Sequence, residues 1–510
     1  MIKYFKYLLV AGVFASVLVS SRSHFLPLNG DLKPDQFETV YTQFRFGAVD
    51  AQQRLSQAAV ARQDMYWLPV LAAHGDLAAL KKLVELTPDP AQQAVWLRQA
   101  AQQGDAEAQF RLALEERDPD LKIAGLLASA QLGVLDAQHA LVEWYVLNDQ
   151  VEQAIPWLYK TARHFASDAF RLAEYLWREK ASEDAIKWYE RAHQLRHDNA
   201  GAYAQTARAG TSSFDNLLQG QHGWYLPGES NAVAVVGDEQ NLCQQRILPI
   251  ARSLANMVQA KSLLDSWQRD ARLQSLPICM LAPIWLPESE LSCARTRRAS
   301  ANRMQCDVTP LEDLVEALHL THVIVFNPSN RAYVDAGIMY LDLHDTYSVF
   351  VHELAHFVGF ADEYPIAKTL AQVHCSNQFA PNLVFEGEIS YQPVQRVKEW
   401  QKYIDASEGE GIGLFPARSC NNVGIKAYKL TDDRTFLEFH DTDLIPSVYL
   451  DIWAQQLSTK QHWYPIAENL ARHYERQGMY AKASEWRRFA DEQQLGSIDT
   501  PDETGQPTSR

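Results

Sequence analysis

Residues 351–364 read Val351-His352-Glu353-Leu354-Ala355-His356-Phe357-Val358-Gly359-Phe360-Ala361-Asp362-Glu363-Tyr364. Asp345 and Thr346 stand ahead of this stretch as good helix N-caps. Tyr347, Val351, Leu354 and Val358 follow at i, i+4, i+7 and i+11, one apolar stripe of a helix facing a core. His352 and His356 fall just off that stripe and one turn apart, about 6 Å along the axis, so both imidazoles can reach one zinc ion. Glu353 sits one residue round, placed to touch water at the metal without ligating it. A helix running on past Gly359 would carry Asp362 about 15 Å along the axis from His352 and onto the wrong face. Glycine tolerates the left-handed conformation that ends helices, so the chain can fold back there and bring Asp362 under the metal. The spacing is then H-E-x-x-H-x-x-G-x-x-D, with a carboxylate as an acceptable third ligand.

The segment resembles the IgA-peptidase-like family of zinc metallopeptidases, whose hallmark is an H-E-x-x-H helix running into a Gly-Leu-Ala-Asp-Glu-Tyr-like turn. The matching residues are His352, Glu353, His356, Gly359, Phe360, Ala361, Asp362, Glu363 and Tyr364. The resemblance covers 320–455 and implies a zincin-type catalytic domain with endopeptidase chemistry. The family often has one more residue before its Asp-Glu-Tyr. The third ligand therefore lies between Asp362 and Glu363; Asp362 is preferred, and Glu363 would then orient a ligand histidine.

Working outward, 322–326 (HVIVF) and 277–285 (PICMLAPIW) read as buried strands. Residues 232–236 (AVAVV) read as another strand, and 240–267 has helical periodicity. The run 337–343 (GIMYLDL) alternates enough for a sheet edge, where an extended peptide substrate could be added as a further strand. Downstream, 433–441 resembles the turn that metzincins place beneath zinc, with Leu437 where a methionine would stand. His440 follows as a candidate oxyanion donor, with Tyr428 and Tyr391 as rivals.

Upstream, 45–210 is rich in Ala, Leu, Gln and Trp. Gly75, Gly104 and Gly133 recur every 29 residues, and Ala108-Gln109 recurs 29 residues later as Ala137-Gln138. Periods of this size mark stacked helical hairpins. The pattern A-x-x-x-G-x-x-x-A-Q-x-x-L resembles Sel1-like repeats, relatives of the tetratricopeptide repeat, which implies either a surface for a protein partner or a brace. Residues 460–492 look like one more helix pair, and the polar tail 496–510 has no core-forming pattern. The expected architecture is multidomain, α plus α/β. An α-solenoid of Sel1/TPR-like repeats comes first, after a linker at 210–230 a zincin-type metallopeptidase domain over 222–455, then a C-terminal helical hairpin.

Residues 1–21 carry Lys3 and Lys6 before a 13-residue uncharged apolar run, the pattern of a signal peptide or an uncleaved N-terminal anchor. Either reading places the rest outside the cytoplasm, periplasmic or secreted, with the membrane touched only through that segment. All six cysteines lie between Cys243 and Cys420, an even count in one region of an exported chain, which suggests disulfides. Cys293 with Cys306 and Cys375 with Cys420 are the neighbour pairings. No C-x-x-C occurs, against a cysteine-held structural zinc. With 63 acidic and 47 basic residues the net charge is −16, which argues against nucleic acid as a partner.

The expectation is thus a zinc metalloendopeptidase. Zinc is held by His352, His356 and Asp362, Glu353 is the general base, His440 assists, and a protein or peptide is the substrate. The competing expectation is a non-catalytic envelope scaffold working through its repeats. Amide hydrolysis on a cell-wall substrate stays open beside protein cleavage.

Overall fold

The computed structural model describes residues 32–48, 50–210, 223–228, 243–298, 301–327, 331–368, 371–372, 375, 380–386, 400–404, 411–439, 442–459 and 464–495. The expected signal segment, the strand at 232–236, Tyr391, His440 and the tail lie outside the described residues. The chain forms two compact units, 1–201 and 202–510.

The first unit is a run of helical hairpins. The glycines of the 29-residue period lie between Trp67–Ala73 and Leu77–Leu86, between Pro90–Gln102 and Ala106–Glu115, and between Pro119–Gln131 and Leu135–Leu147. Gly75, Gly104 and Gly133 have φ of 78°, 86° and 94°. Asp76 and Asp105 cap the helices that follow, accepting from the amides of Ala79 and Ala108. Such caps stabilise a helix by about 1 kcal/mol each. Asp89 and Asp118, also 29 apart, cap the intervening helices ahead of Pro90 and Pro119, whose fixed φ suits the first helical position. Gln109 donates to the Ala101 carbonyl and Gln138 to the Ala130 carbonyl, at 3.2 and 3.0 Å. The recurring Ala-Gln is therefore a side-chain tie across each turn. The solenoid begins before the repeats are legible: Leu32, Phe37 and Val40 are buried in the same core as Leu55 and Leu68.

The second unit is built on a seven-stranded sheet. Its strands are β1 (Trp224–Tyr225), β2 (Gln245–Ala251), β3 (Ile278–Leu281) and β4 (Ile284–Trp285). A separate hairpin, β5 (Cys293–Arg298) and β6 (Ala301–Cys306), precedes β7 (His322–Phe326), β8 (Tyr333–Asp335) and β9 (Ile338–Leu341). The order is β1-β3-β2-β7-β9-β8, with β4 also on β2. The four inner strands run parallel, and β1 and β8 are antiparallel edges. A small sheet holds β10 (Val384–Phe385), β11 (Ile412–Ala417) and β12 (Ala427–Thr431) in the order β10-β12-β11.

Side chains of the inner strands alternate between two cores. Ile324, Phe326, Met339 and Leu341 face the helices Leu254–Arg269, Tyr347–His356 and Ser447–Thr459. Val323, Val325, Ile338 and Tyr340 face the helices Glu312–Ala317, Ile466–Arg476 and Tyr480–Leu495. The C-terminal helix pair is therefore the second covering layer of the sheet and does not extend the solenoid. Its seat is close: the Ile466 amide donates to the Thr321 carbonyl at 2.7 Å.

Three expectations are corrected. The start of the helical reading at 240–267 is strand β2, because a strand buried on both faces is continuously apolar and mimics a buried helix; helix begins at Leu254. Trp224–Tyr225, read as linker, is an edge strand. The run 337–343 is not an edge. Ala336 and Gly337, both at positive φ, make a two-residue turn that pairs β9 with β8, so Tyr333–Asp335 takes the edge instead.

Disulfides join Cys243 to Cys279, Cys293 to Cys306 and Cys375 to Cys420, and these account for all six cysteines. Three such bonds indicate an oxidising, extracytoplasmic environment. No helix of the described residues is long and apolar enough to cross a membrane.

Candidate metal centre

The motif helix spans Tyr347–His356, with Thr346 at its N-cap. No side chain caps it: Thr346 pairs its hydroxyl with Ser348, and Asp345 accepts from the Asp342 amide at 2.6 Å. What holds the helix is its stripe. Val351, Leu354 and Val358 are buried, each contributing about 2 kcal/mol of apolar transfer before entropy is counted. Gly359 takes φ 86°, and the Phe360 amide closes back on the Ala355 carbonyl, so the chain reverses where the glycine allows it.

That reversal brings three ligand atoms together. His352 Nε2 and His356 Nε2 are 3.1 Å apart, and Asp362 Oδ1 lies 3.0 Å from the first and 3.2 Å from the second. Each imidazole has its other nitrogen engaged: Nδ1 of His352 donates to the Phe436 carbonyl at 2.8 Å, and Nδ1 of His356 to the Phe360 carbonyl at 2.7 Å. With each Nδ1 engaged by a carbonyl, both Nε2 atoms face one carboxylate oxygen of Asp362. Such a cluster is satisfied by a proton on a histidine or by a cation held between the three atoms. Ligands of a tetrahedral zinc sit about 3.3 Å apart, from bond lengths of roughly 2.0–2.1 Å, so the donor set and its spacing fit zinc.

Glu353 Oε2 is buried and has no hydrogen-bond partner among the described residues. Burial pushes its carboxyl above the usual range, while the two histidines pull the other way. Burial lowers His356, but Asp362 outweighs that and lifts it to about 9. Burial raises Asp362, and the histidines more than reverse this, holding it far below the ordinary carboxylate range.

Glu363 turns away from the histidines. Its carboxylate accepts from Thr435 Oγ1 and Tyr449 OH, each at 2.6 Å, and from Asn382 Nδ2 at 3.2 Å, with Lys429 Nζ 3.5 Å off. The expected role of Glu363 in orienting a ligand histidine directly is corrected: backbone carbonyls do that. Glu363 instead fastens the turn 359–364 to the loop whose Phe436 carbonyl holds His352. In that loop Leu437 is fully buried, and its carbonyl accepts from the Glu363 amide at 3.0 Å. Asn382 adds a clamp on the Ala361 amide and carbonyl, at 2.8 and 2.9 Å.

A cavity of about 490 Å³ opens onto His352 and Glu353. Its wall includes Arg331 and Ala332 at the start of β8, Val349, Tyr364, Arg418 and Phe439. Tyr428, in β12, is not part of that wall. Tyr364 is the tyrosine the sequence reading missed as a donor. Its ring stacks on that of His352 with centroids 6.4 Å apart, and burial together with the nearby Asp362 carboxylate pushes its hydroxyl above the ordinary phenol range. Its position directly after Asp362-Glu363 was the available signal.

The described residues hold a second group with ligand-type side chains, His139, Glu143 and Asp168, in the first unit. Arg171 pairs with both carboxylates there, so a guanidinium already occupies the place of a cation.

No family model matches the chain, and no curated protein matches it. Among solved structures it is similar to the crystal structure of a Sel1 repeat protein from Oxalobacter formigenes, at 20% identity over 34% of this chain and 79% of that one, with a TM-score of 0.26. It is also similar to the crystal structure of c5321, a protective antigen present in uropathogenic Escherichia coli strains displaying an SLR fold. There the identity is 22%, over 48% of this chain and 52% of the other, with a TM-score of 0.27. At such TM-scores the overlays carry no argument. On its own glycine period and helix pairing, the first unit is a Sel1-like helical solenoid, joined in sequence to a mixed α/β unit that contains the histidine–aspartate cluster.

Proposed function

We propose that the chain is an exported zinc-dependent peptidase acting on a protein or peptide outside the cytoplasm. The observation that carries this reading is the triangle of His352 Nε2, His356 Nε2 and Asp362 Oδ1, with sides of 3.0–3.2 Å and both Nδ1 atoms committed elsewhere. These three residues would hold zinc. Zinc bound there supplies Lewis acidity toward a carbonyl and toward water.

The rest is the work of the chain's own side chains. Glu353, buried beside the histidines and unpaired, takes a proton from water and passes it to the leaving amine. A carboxyl raised by burial suits both halves of that task. The hydroxyl of Tyr364 stands on the cavity wall as a donor for developing negative charge. An extended peptide is aligned along the edge strand β8, which begins at the cavity wall. The helical solenoid presents a surface for a protein partner, and the apolar N-terminal segment directs export or anchors the chain. A scaffold without catalysis would have no use for Glu353.

The test is incubation with mixed peptides, with and without a chelator, followed by mass mapping of the cuts. Wild-type protein should cut and the chelator should stop it. Glu353→Gln should keep zinc in a metal analysis and lose cleavage. Unchanged turnover in that variant would refute the assignment.

A further inference from the structure

We propose that Arg272, a residue outside the cavity wall, is a positioning residue that sets how His352 presents its ring to the metal. The proposal rests on the zinc reading of the cluster and deepens it.

Two parts of the chain set the ring of His352. Its backbone belongs to the motif helix Tyr347–His356, and its Nδ1 donates to the Phe436 carbonyl at 2.8 Å. The ring keeps its aim only if helix and loop keep their relative place, and Arg272 joins the two. On the helix side, its Nε and Nη2 donate to the Asp270 carboxylate at 2.8 and 2.7 Å, a bidentate pair. Asp270 stands at the end of the helix Leu254–Arg269, its side chain is only 7% exposed, and it also accepts from the Tyr347 hydroxyl at 3.0 Å. Tyr347 is the first residue of the motif helix. On the loop side, Arg272 Nη1 donates to the Asp443 carbonyl at 2.6 Å, and Nη2 to the Asp443 carboxylate at 2.8 Å. The next residue, Leu444, accepts from the Phe436 amide at 3.0 Å. Phe436 is thus pinned through its amide while its carbonyl holds His352. A simple exposed ion pair is worth little. Here one planar fork spans elements 171 residues apart and takes a main-chain carbonyl together with two carboxylates. Lysine, a point charge, can keep one of these partners but cannot hold both sides. Glu363 ties the same loop to the turn that carries Asp362. Arg272 ties it to the helix that carries His352, so the two ties together keep the ligands in register.

The experiment uses the full chain and zinc itself, with a coloured chelator as competitor, in buffer where urea titration shows every variant to be folded. Arg272→Lys and Arg272→Ala should each bind zinc about tenfold more weakly than wild type, the lower end of the usual cost of losing a group that orients a ligand. The urea midpoint of the Lys variant should stay closer to wild type than that of the Ala variant, so the affinity loss does not follow stability. Cobalt in place of zinc should give an altered visible spectrum in both variants. Wild-type zinc affinity with an unchanged cobalt spectrum in both overturns the proposal, whatever the urea midpoints. Proton–nitrogen spectra of the metal-free protein, labelled at histidine, give a readout that needs no metal. The Nδ1–H signal of His352, identified by its loss in His352→Gln, should move in Arg272→Lys; a signal that stays in place overturns the proposal as well. If the wild-type protein binds neither ion, the zinc reading falls, and the histidine signal still decides whether Arg272 positions His352.

Discussion

Tyr449 donates a 2.6 Å hydrogen bond to Glu363, a residue 86 positions earlier in the chain, and both are fully buried. The bond ties the helix Ser447–Thr459 to the turn that delivers Asp362. With Thr435, Asn382 and Lys429 it completes a polar knot beneath the histidine cluster.

Cutting one strand of that knot should cost less than removing its centre. Tyr449→Phe should lower stability by about 1.5–3 kcal/mol, the worth of a hydrogen bond to a charged group. Glu363→Ala leaves Lys429 near an empty place and should cost about 3–5 kcal/mol. Urea denaturation followed by tryptophan fluorescence measures both. Equal costs would mean that the knot does not centre on Glu363.

Asp362→Ala should abolish zinc retention after dialysis, measured by metal analysis, and should also lower the urea midpoint of the zinc-free protein near neutral pH, because the carboxylate there is held by the two histidines. The carboxylate makes its close contacts with the histidines and Tyr364. Full zinc occupancy in this variant would place the third ligand elsewhere.

His322 should make the second unit acid-sensitive. Its ring is fully buried, and burial lowers its pKa from the ordinary 6.5 to about 3. In the unfolded chain the imidazole takes up its proton below about pH 6.5, while the folded protein resists until about pH 3. The stabilisation is therefore complete above pH 6.5 and lost as pH falls, by about 1.4 kcal/mol per unit. His322→Gln should show a shallower decline of stability between pH 6 and 4, measured by denaturation at each pH. An unaltered slope would show that the group does not titrate this way.

Gly337→Ala should be disruptive for two reasons. Gly337 has φ 82°, and a Cβ there would lie 2.3 Å from the Ile466 amide nitrogen and 2.5 Å from the Pro465 carbonyl carbon. Neither backbone atom can swing aside as a side chain would, so a loss of about 3 kcal/mol or more is expected. Limited proteolysis should then cut within 464–495 earlier than in the wild type. Wild-type resistance there would mean that the seat of the helix pair is looser than it looks.

The parts of the site that were legible in the sequence are the local ones. The helix phase of His352 and His356 and the bend at Gly359 are set within eleven residues, where helix geometry and glycine's freedom suffice. The 29-residue period was legible because each turn repeats the same glycine. What escaped is long-range or ambiguous. Thr435 and Tyr449, the partners of Glu363, lie 72 and 86 residues away and have no local signature. The exchange of edge between β9 and β8 turned on Ala336 at φ 44°, a conformation that alanine seldom advertises. Strand β2, buried on both faces, gave no period by which to tell it from helix.

The two helices that close the far side of the sheet are synthesised after every strand they cover. Until they arrive, Val323, Val325 and Ile338 share that face only with earlier pieces such as the short helix Glu312–Ala317, and the central strands lack a large part of the apolar cover on that side. The α/β unit therefore cannot mature from its N-terminal end while the polypeptide is still emerging. It must assemble in one late step, and a product terminated near residue 459 would expose a greasy sheet instead of retaining a smaller folded unit.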